Sequence, residues 1–175
     1  WVEWDHPNMP WDQTRLCLGS LGGEGALPGL ERVEVVAGEQ SGVYLQPQFS
    51  PDGRWLSYID ACGEWDNLVL KNLESGKTHT LIPGSGFHLT TPAWIQGIRT
   101  YTWSSDGKRI YSIRNAKGQA SLWVVEIGSS DRVTALARQI DTGPYTWITQ
   151  LAVSPADDQL AFLASAPDIP DRIVR

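Results

Sequence analysis

Basic residues are in short supply. The 14 Lys and Arg side chains are outnumbered by 20 Asp and Glu, for a formal charge of −6, so the cationic surface that a phosphate backbone or an anionic bilayer calls for is missing. Neither nucleic acid nor a membrane is expected as a partner. Apolar runs such as Leu122 to Val125 and Leu160 to Ala164 fall far below the roughly 20 residues that span a bilayer as a helix. The chain begins at Trp1 without the basic start and apolar core of an export signal, so any such signal is expected upstream or already removed. Cysteine is scarce as well. Cys17 and Cys62 have no metal-ligand spacing and, read as free thiols, lean toward a cytoplasmic rather than a periplasmic setting.

Catalytic patterns are also missing. There is no Gly-x-Ser-x-Gly, the strained turn that would expose a serine nucleophile, and Gly84-Ser85-Gly86 is too short for it and reads as a loop between repeats. No phosphate-cradling glycine loop and no zinc-type His/Cys cluster occurs, and His6, His79 and His88 are dispersed. No catalytic residue, metal ligand or cofactor is therefore assigned. Asp52 and Asp106 each lie in a turn of their own repeat, so they read as turn formers and not as a paired acid and base.

What the chain does contain is a repeat. Shifted by 54 positions, Ser50, Asp52, Gly53, Ile59, Leu68, Ser75 and Thr80 fall on Ser104, Asp106, Gly107, Ile113, Leu122, Ser129 and Thr134 without a gap. Shifted by 104, Ser50, Pro51 and Leu56 meet Ser154, Pro155 and Leu160. A period of about 50 residues holding four short strands marks a β-propeller blade. The 17 Gly, 11 Pro and 9 Trp fit many turns and aromatic strands, and no helical spacing is sustained. The fold class expected is all-β, a β-propeller fragment of about two complete four-stranded blades and two partial ones, with pieces at roughly 1–38, 39–83, 84–137 and 138–175. A closed propeller needs about 4 to 8 blades, so the chain is expected to be a slice of a larger protein.

Within the second repeat, Pro47 suits an innermost edge strand because it has no N–H to give a ladder. The Ser50-Pro51-Asp52-Gly53 turn sets the hairpin that follows. Leu56 and Tyr58 on one face, with Trp55 and Ile59 on the other, predict a sheet packed on both sides. In the third repeat strands are expected at Tyr101–Trp103, Arg109–Ile113, Leu122–Ile127 and Arg132–Leu136. In the fourth, Gln150–Ser154 and Gln159–Ala164 are expected, with Asp157 in the glycine position of the turn.

Loops of unequal sequence join second to third strands: His6 to Trp11, Gly63 to Asn67, and Asn115 to Gln119. With the connection Gly84 to Ala93 they are expected to share one rim, and loops of this kind carry function more often than short uniform turns do. His6, Trp11, Trp65, Asp66 and Asn67 are the candidates to face a substrate or a neighbouring domain. Trp55, Trp103 and Trp123 lie in strands, where packing explains them better than a sugar platform would.

The strings Trp4-Asp5-His6-Pro7-Asn8-Met9-Pro10-Trp11-Asp12, Gln46-Pro47-Gln48-Phe49-Ser50-Pro51-Asp52-Gly53 and Gly63-Glu64-Trp65-Asp66-Asn67-Leu68 resemble the propeller of bacterial serine peptidases of the prolyl oligopeptidase family, acylaminoacyl-peptidase or dipeptidyl-peptidase type. That resemblance implies a propeller over a separate α/β-hydrolase domain of the same parent chain, which carries the catalytic triad and cleaves short peptides. None of the triad positions matches this sequence, so the implied role is a gate and size filter. The Ser-Pro-Asp-Gly turns also resemble TolB-like propellers, which implies the competing role of a protein-binding module with no enzyme attached. On either reading the 175-residue chain is expected to hydrolyse no peptide or ester above background, since nucleophile, base and oxyanion donors must converge. A turnover assay with a serine-directed reagent as control checks this, and sustained reagent-sensitive hydrolysis would refute it.

Overall fold

Apolar side chains on both faces of short extended segments, punctuated by Gly, Pro, Asp and Ser, favour strands joined by tight turns. The computed structural model, which describes residues 1–23, 29–95, 97–128 and 136–175, is built this way. Four antiparallel sheets follow one another along the chain. The first holds β1 (Val2–Glu3), β2 (Arg15–Gly22) and β3 (Gly29–Ala37). The second holds β4 (Tyr44–Phe49), β5 (Trp55–Asp60), β6 (Asn67–Asn72) and β7 (Thr78–Ile82). The third holds β8 (Tyr101–Trp103), β9 (Arg109–Ala116), β10 (Gln119–Glu126) and β11 (Leu136–Ile140), and the fourth β12 (Trp147–Val153), β13 (Leu160–Ala166) and β14 (Ile169–Val174). No helix occurs among the described residues. The fold is all-β, a propeller fragment in which each sheet is a blade.

Three cores fill the spaces between successive blades. Leu56, Tyr58 and Val69 of the second sheet close on Leu16 of the first. The opposite face of the second sheet, with Ile59, Leu68 and Leu70, packs on Tyr101, Trp103, Ile110 and Val125 of the third. The third then turns Tyr111, Ile113, Leu122 and Val124 toward Ile148, Leu151, Phe162 and Ala164 of the fourth. The two middle blades thus bury both faces, as the alternation in β5 predicts.

Ser57 is the one polar group of β5 that points into the core between the second and third blades, and it is 0% exposed. Its hydroxyl donates to the Gln48 carbonyl at 2.9 Å and accepts from Trp103 Nε1 at 2.8 Å. The Tyr101 hydroxyl lies 2.6 Å from the Gln46 carbonyl and 3.0 Å from Ser57 Oγ, and burial pushes its pKa up.

The inner strands β4, β8 and β12 meet at one edge. Gln46 and Gln150 occupy equivalent positions with φ of 53° and 56°, each inside an interruption of its ladder, Leu45/Gln48 and Thr149/Ala152. Gln46 Oε1 accepts from Thr100 N at 2.8 Å and Gln150 Oε1 from Arg99 N at 3.1 Å, so both reach the entry to β8. Pro47 sits in the first of these bulges, where its missing N–H interrupts no ladder bond.

The repeated turns close alike. Ser50 Oγ donates to Asp52 Oδ1 at 2.6 Å and accepts from Trp55 N at 2.9 Å, while Ser104 Oγ makes the same pair with Asp106 and Arg109 N at 2.7 and 2.9 Å. The serine hydroxyl is the main cause holding both carboxyls below the usual range. Gly53 and Gly107 have φ of 71° and 70°, so Ser105 in place of proline leaves the turn intact.

The structure corrects four expectations. In the fourth turn the left-handed residue is Asp158, with φ 55°, and not Asp157; Asp157 Oδ1 instead faces Gln159 N at 3.4 Å, the role Asp52 plays toward Arg54. The Asn115 to Gln119 stretch is a tight hairpin, with only Lys117 and Gly118 between strands and φ of 50° and 78°, values that match the twist of paired strands. The outer strand of the third blade is Leu136–Ile140, so the expected break at 137/138 falls within it. Its residues are mostly exposed and leave no apolar signature, and the expected strand at 132–136 lies, apart from Leu136, outside the described residues. The fourth blade has a third strand, β14, hidden in the sequence by Pro170; the proline is tolerated because β14 is an edge strand beside an irregular register at Ala164/Ala166.

Ser57→Ala is expected to lower stability by about 1–3 kcal/mol, because it leaves the buried Trp103 N–H without its acceptor. Chemical denaturation with far-UV detection reads the loss, and an unchanged midpoint would remove the central place given to this hydroxyl.

Candidate functional site

The rim that carries the β1–β2, β5–β6 and β9–β10 connections is crossed by the segment running from Pro83 to Ile95, and its placement begins with two side chains of the β5–β6 loop. Asp66, 5% exposed, accepts from Leu89 N at 2.8 Å and Thr90 N at 3.0 Å through Oδ2. Its Oδ1 lies 3.5 Å from His88 Nδ1. Asn67 Oδ1 accepts from Gly84 N at 3.0 Å. Gly84 fits only because it lacks a side chain: a Cβ there would collide with the Asp66 carbonyl oxygen and stand 2.7 Å from Trp65 Cβ.

From this anchor the crossing segment reaches the third blade. His88 and Asn115 exchange both backbone bonds, at 2.9 and 2.8 Å, and Leu89 is buried in the core between the two blades. Beyond Leu89 the chain passes Thr90, Thr91 and Pro92 and exposes Trp94 and Ile95, 69% and 64% accessible. Trp94 is tilted against Trp11 of the β1–β2 loop, with ring centroids 4.3 Å apart.

A cleft of about 420 Å³ opens here, lined by Trp11, Val43, Leu45, Ala61, Asp66, His88, Thr90, Thr91, Pro92, Asn115 and Trp147. A second, of about 360 Å³, lies across Thr91 and Pro92 and is walled by Trp94, Ile95, Ile98, Trp147, Ile148 and Leu163. Residues of all four blades or their connections contribute. An apolar, aromatic-walled cleft with a few convergent polar groups suits a small organic or peptide ligand.

The five candidates from the sequence fare differently. Trp11 and Asp66 line the cleft. Trp65 is half-buried beside His88, ring centroids 4.9 Å apart, and covers the anchor. Asn67 faces Gly84, and His6 is exposed on the β1–β2 loop, outside the lining of the cleft. Asp66 and Asn67 act chiefly by positioning the crossing segment. Sequence reasoning did not single out His88, Trp94, Asn115 or Trp147; the Pro- and Gly-punctuated run from Thr90 to Gly97 was the available signal for Trp94. Among the described residues no group of three or more His, Cys, Asp or Glu is gathered as for a metal ion.

No protein-family model matches the chain, nor does any curated protein sequence. Among solved structures it is similar to puromycin hydrolase, with a TM-score of 0.78 and 23% identity over 99% of this chain. A mutant of that enzyme complexed with PGG gives a TM-score of 0.81 at the same identity and coverage. A putative TolB from Agrobacterium tumefaciens is similar over 94% of this chain and 73% of its own, with a TM-score of 0.54 and 18% identity. The shared fold is part of a β-propeller. This chain spans about a quarter, 24%, of the length of the puromycin hydrolase chains.

Asp66→Ala is expected to release the segment at Leu89 and Thr90 and to lower stability by about 1–3 kcal/mol, since two donors lose a charged acceptor. Hydrogen exchange at those two amides should rise well beyond that at β9. Unchanged protection would mean that the β9 pairing alone holds the segment.

Proposed function

We propose that this chain is the propeller segment of a serine oligopeptidase or exopeptidase of the prolyl oligopeptidase family, which gates and filters peptides on their way to a separate α/β-hydrolase domain of the same parent chain. The observation that carries this reading is the aromatic cleft on the irregular rim, within a fold shared along its whole length with part of a hydrolase. Trp11, Trp94 and Trp147 supply apolar walls, and Asp66, His88 and Asn115 supply the polar groups that would orient a peptide. Short peptides are the substrate class, and acylaminoacyl- or dipeptidyl-peptidase activity is the specificity expected of the parent. The exposed thiol of Cys62 and the buried thiol of Cys17, both unpaired, favour a cytoplasmic setting.

A second reading, a TolB-like module that binds a protein partner on the same rim, draws support from the TolB similarity. Reading the longer gene separates the two. A following strand-helix alternation with Gly-x-Ser-x-Gly supports the peptidase, whereas an open reading frame that ends after a few more blades supports the module.

In the full-length protein, Trp147→Ala, at an exposed side chain, is expected to lower kcat/KM for peptides by about tenfold, the scale of one apolar pocket contact. The melting temperature should stay within a few degrees. Trp65→Ala is expected to lower efficiency in the same direction through His88. Unchanged efficiency in both variants would refute the substrate-facing role of this rim.

A further inference from the structure

Three arginines among the described residues are not fully at the surface: Arg15, Arg109 and Arg114. Arg15 is paired with Glu3 at 3.2 Å and Asp5 at 2.7 Å. Arg109 is paired with Asp158 at 2.8 Å. Arg114 forms no ion pair among the described residues, in a chain where carboxylates outnumber cations. Its guanidinium lies instead between two rings, with Cζ 4.5 Å from the centroid of Phe87 and 4.1 Å from that of Trp123. Its Nε is buried without an acceptor, and burial pushes its pKa down with no opposing partner.

Half-burying a guanidinium is unfavourable unless an anion or acceptor compensates for lost water. Two aromatic faces recover part of that loss, but they satisfy none of the in-plane N–H donors. They do hold the plane of the fork, so much of its conformational freedom is already spent before any ligand arrives. Phe87 is carried by the crossing segment and Arg114 by β9, next to Asn115, which pairs with His88. The clamp is therefore built from β9 and from the segment that the His88–Asn115 pairing and Asp66 anchor, and it lies on the rim that holds the cleft.

We propose that Arg114, clamped by Phe87 and Trp123, is a binding point for a carboxylate. A planar, singly charged anion matches one preorganised planar fork through two parallel N–H···O bonds. The carboxylate has two sources, the C-terminus of a bound peptide or an acidic side chain of a protein segment packed on the rim. The inference stands apart from the peptidase reading, because a binding module would use the same contact.

The test uses the whole chain, labelled with 15N, and follows the side-chain Nε–H signal of Arg114 during titration with N-acetyl-glycyl-glycine, its C-terminal amide, and N-acetyl-aspartyl amide. A saturable shift with either carboxylate and none with the neutral amide supports the proposal. Preference for the first assigns a peptide C-terminus, preference for the third an acidic side chain, and equal response the shared chemistry. Arg114→Lys, which keeps the charge but loses the fork, should weaken binding by about tenfold or more, followed by the backbone amide shifts of Asn115 and its β9 neighbours. Phe87→Leu keeps the arginine and opens one side of the clamp; it should weaken binding several-fold and serves alone if Arg114→Lys does not fold. The proposal is overturned if no saturable shift appears, if the neutral amide shifts the signal equally, or if the variant that folds binds as tightly as the parent sequence.

Discussion

Each middle sheet of this chain must bury both of its faces at once, and the rest of the structure follows from that constraint. A strand such as β5 cannot alternate apolar and polar residues, so its one inward polar side chain, Ser57, has to be fully satisfied inside the core. It is satisfied by groups from two different blades. That ties the hydrogen-bond network to the packing: Trp103 and Tyr101 of the third blade reach across to the second, and the bulged Gln46 reaches back toward Thr100. Blade order and blade spacing are thereby coupled, because a shift of one sheet would strand buried donors as well as open voids.

The same logic, applied at the rim, produces the candidate site. The segment between the second and third blades is long, and it is held by one buried carboxylate, Asp66, that accepts from two consecutive amides and lies beside an imidazole. With the segment fixed there, Pro92, Trp94 and Ile95 project beside Trp11 and Trp147 and wall the clefts. On its other side the segment brings Phe87 onto Arg114. Asp66 thus organises both an apolar cleft and a clamped cation without forming the main surface of either. The opposite rim is different in kind: its Ser-x-Asp-Gly turns satisfy themselves through the Ser and Asp side chains and leave little with which to contact a ligand.

Legibility from sequence tracked how local the cause was. The Ser50 and Ser104 turns and the two-sided alternation of β5 depend on near neighbours and appear in the structure as read; the 54-residue offset holds from β5 and β6 to β9 and β10 but not for the outer strand, and Ser129 and Thr134 lie outside the described residues. The one-residue slip that moves the left-handed position to Asp158 was not legible, because the alternative registers Asp157 and Asp158 differ by no residue type. Exposed edge strands were the other weak point. Leu136–Ile140 is almost wholly exposed, and Ile169–Val174 contains a proline, so neither carries the apolar periodicity by which strands are recognised.

Among candidate residues, Trp11 and Asp66 line the cleft, and the signal that named them was local: polar and aromatic residues in irregular loops at equivalent blade positions. Their roles were not legible. Whether an aspartate faces solvent or accepts two amides 23 and 24 residues away is a matter of where the chain returns, and no local pattern encodes that. By itself the sequence determined the repeat, the strand-and-turn content and the sidedness of the sheets, since these follow from backbone geometry and side-chain alternation over a few residues. Only the tertiary structure decided that Trp94 meets Trp11, that His88 pairs with Asn115, and that Arg114 lies against Phe87 and Trp123 with no ion pair among the described residues. Those contacts join residues far apart in the chain, and their geometry is set by how the blades pack against one another.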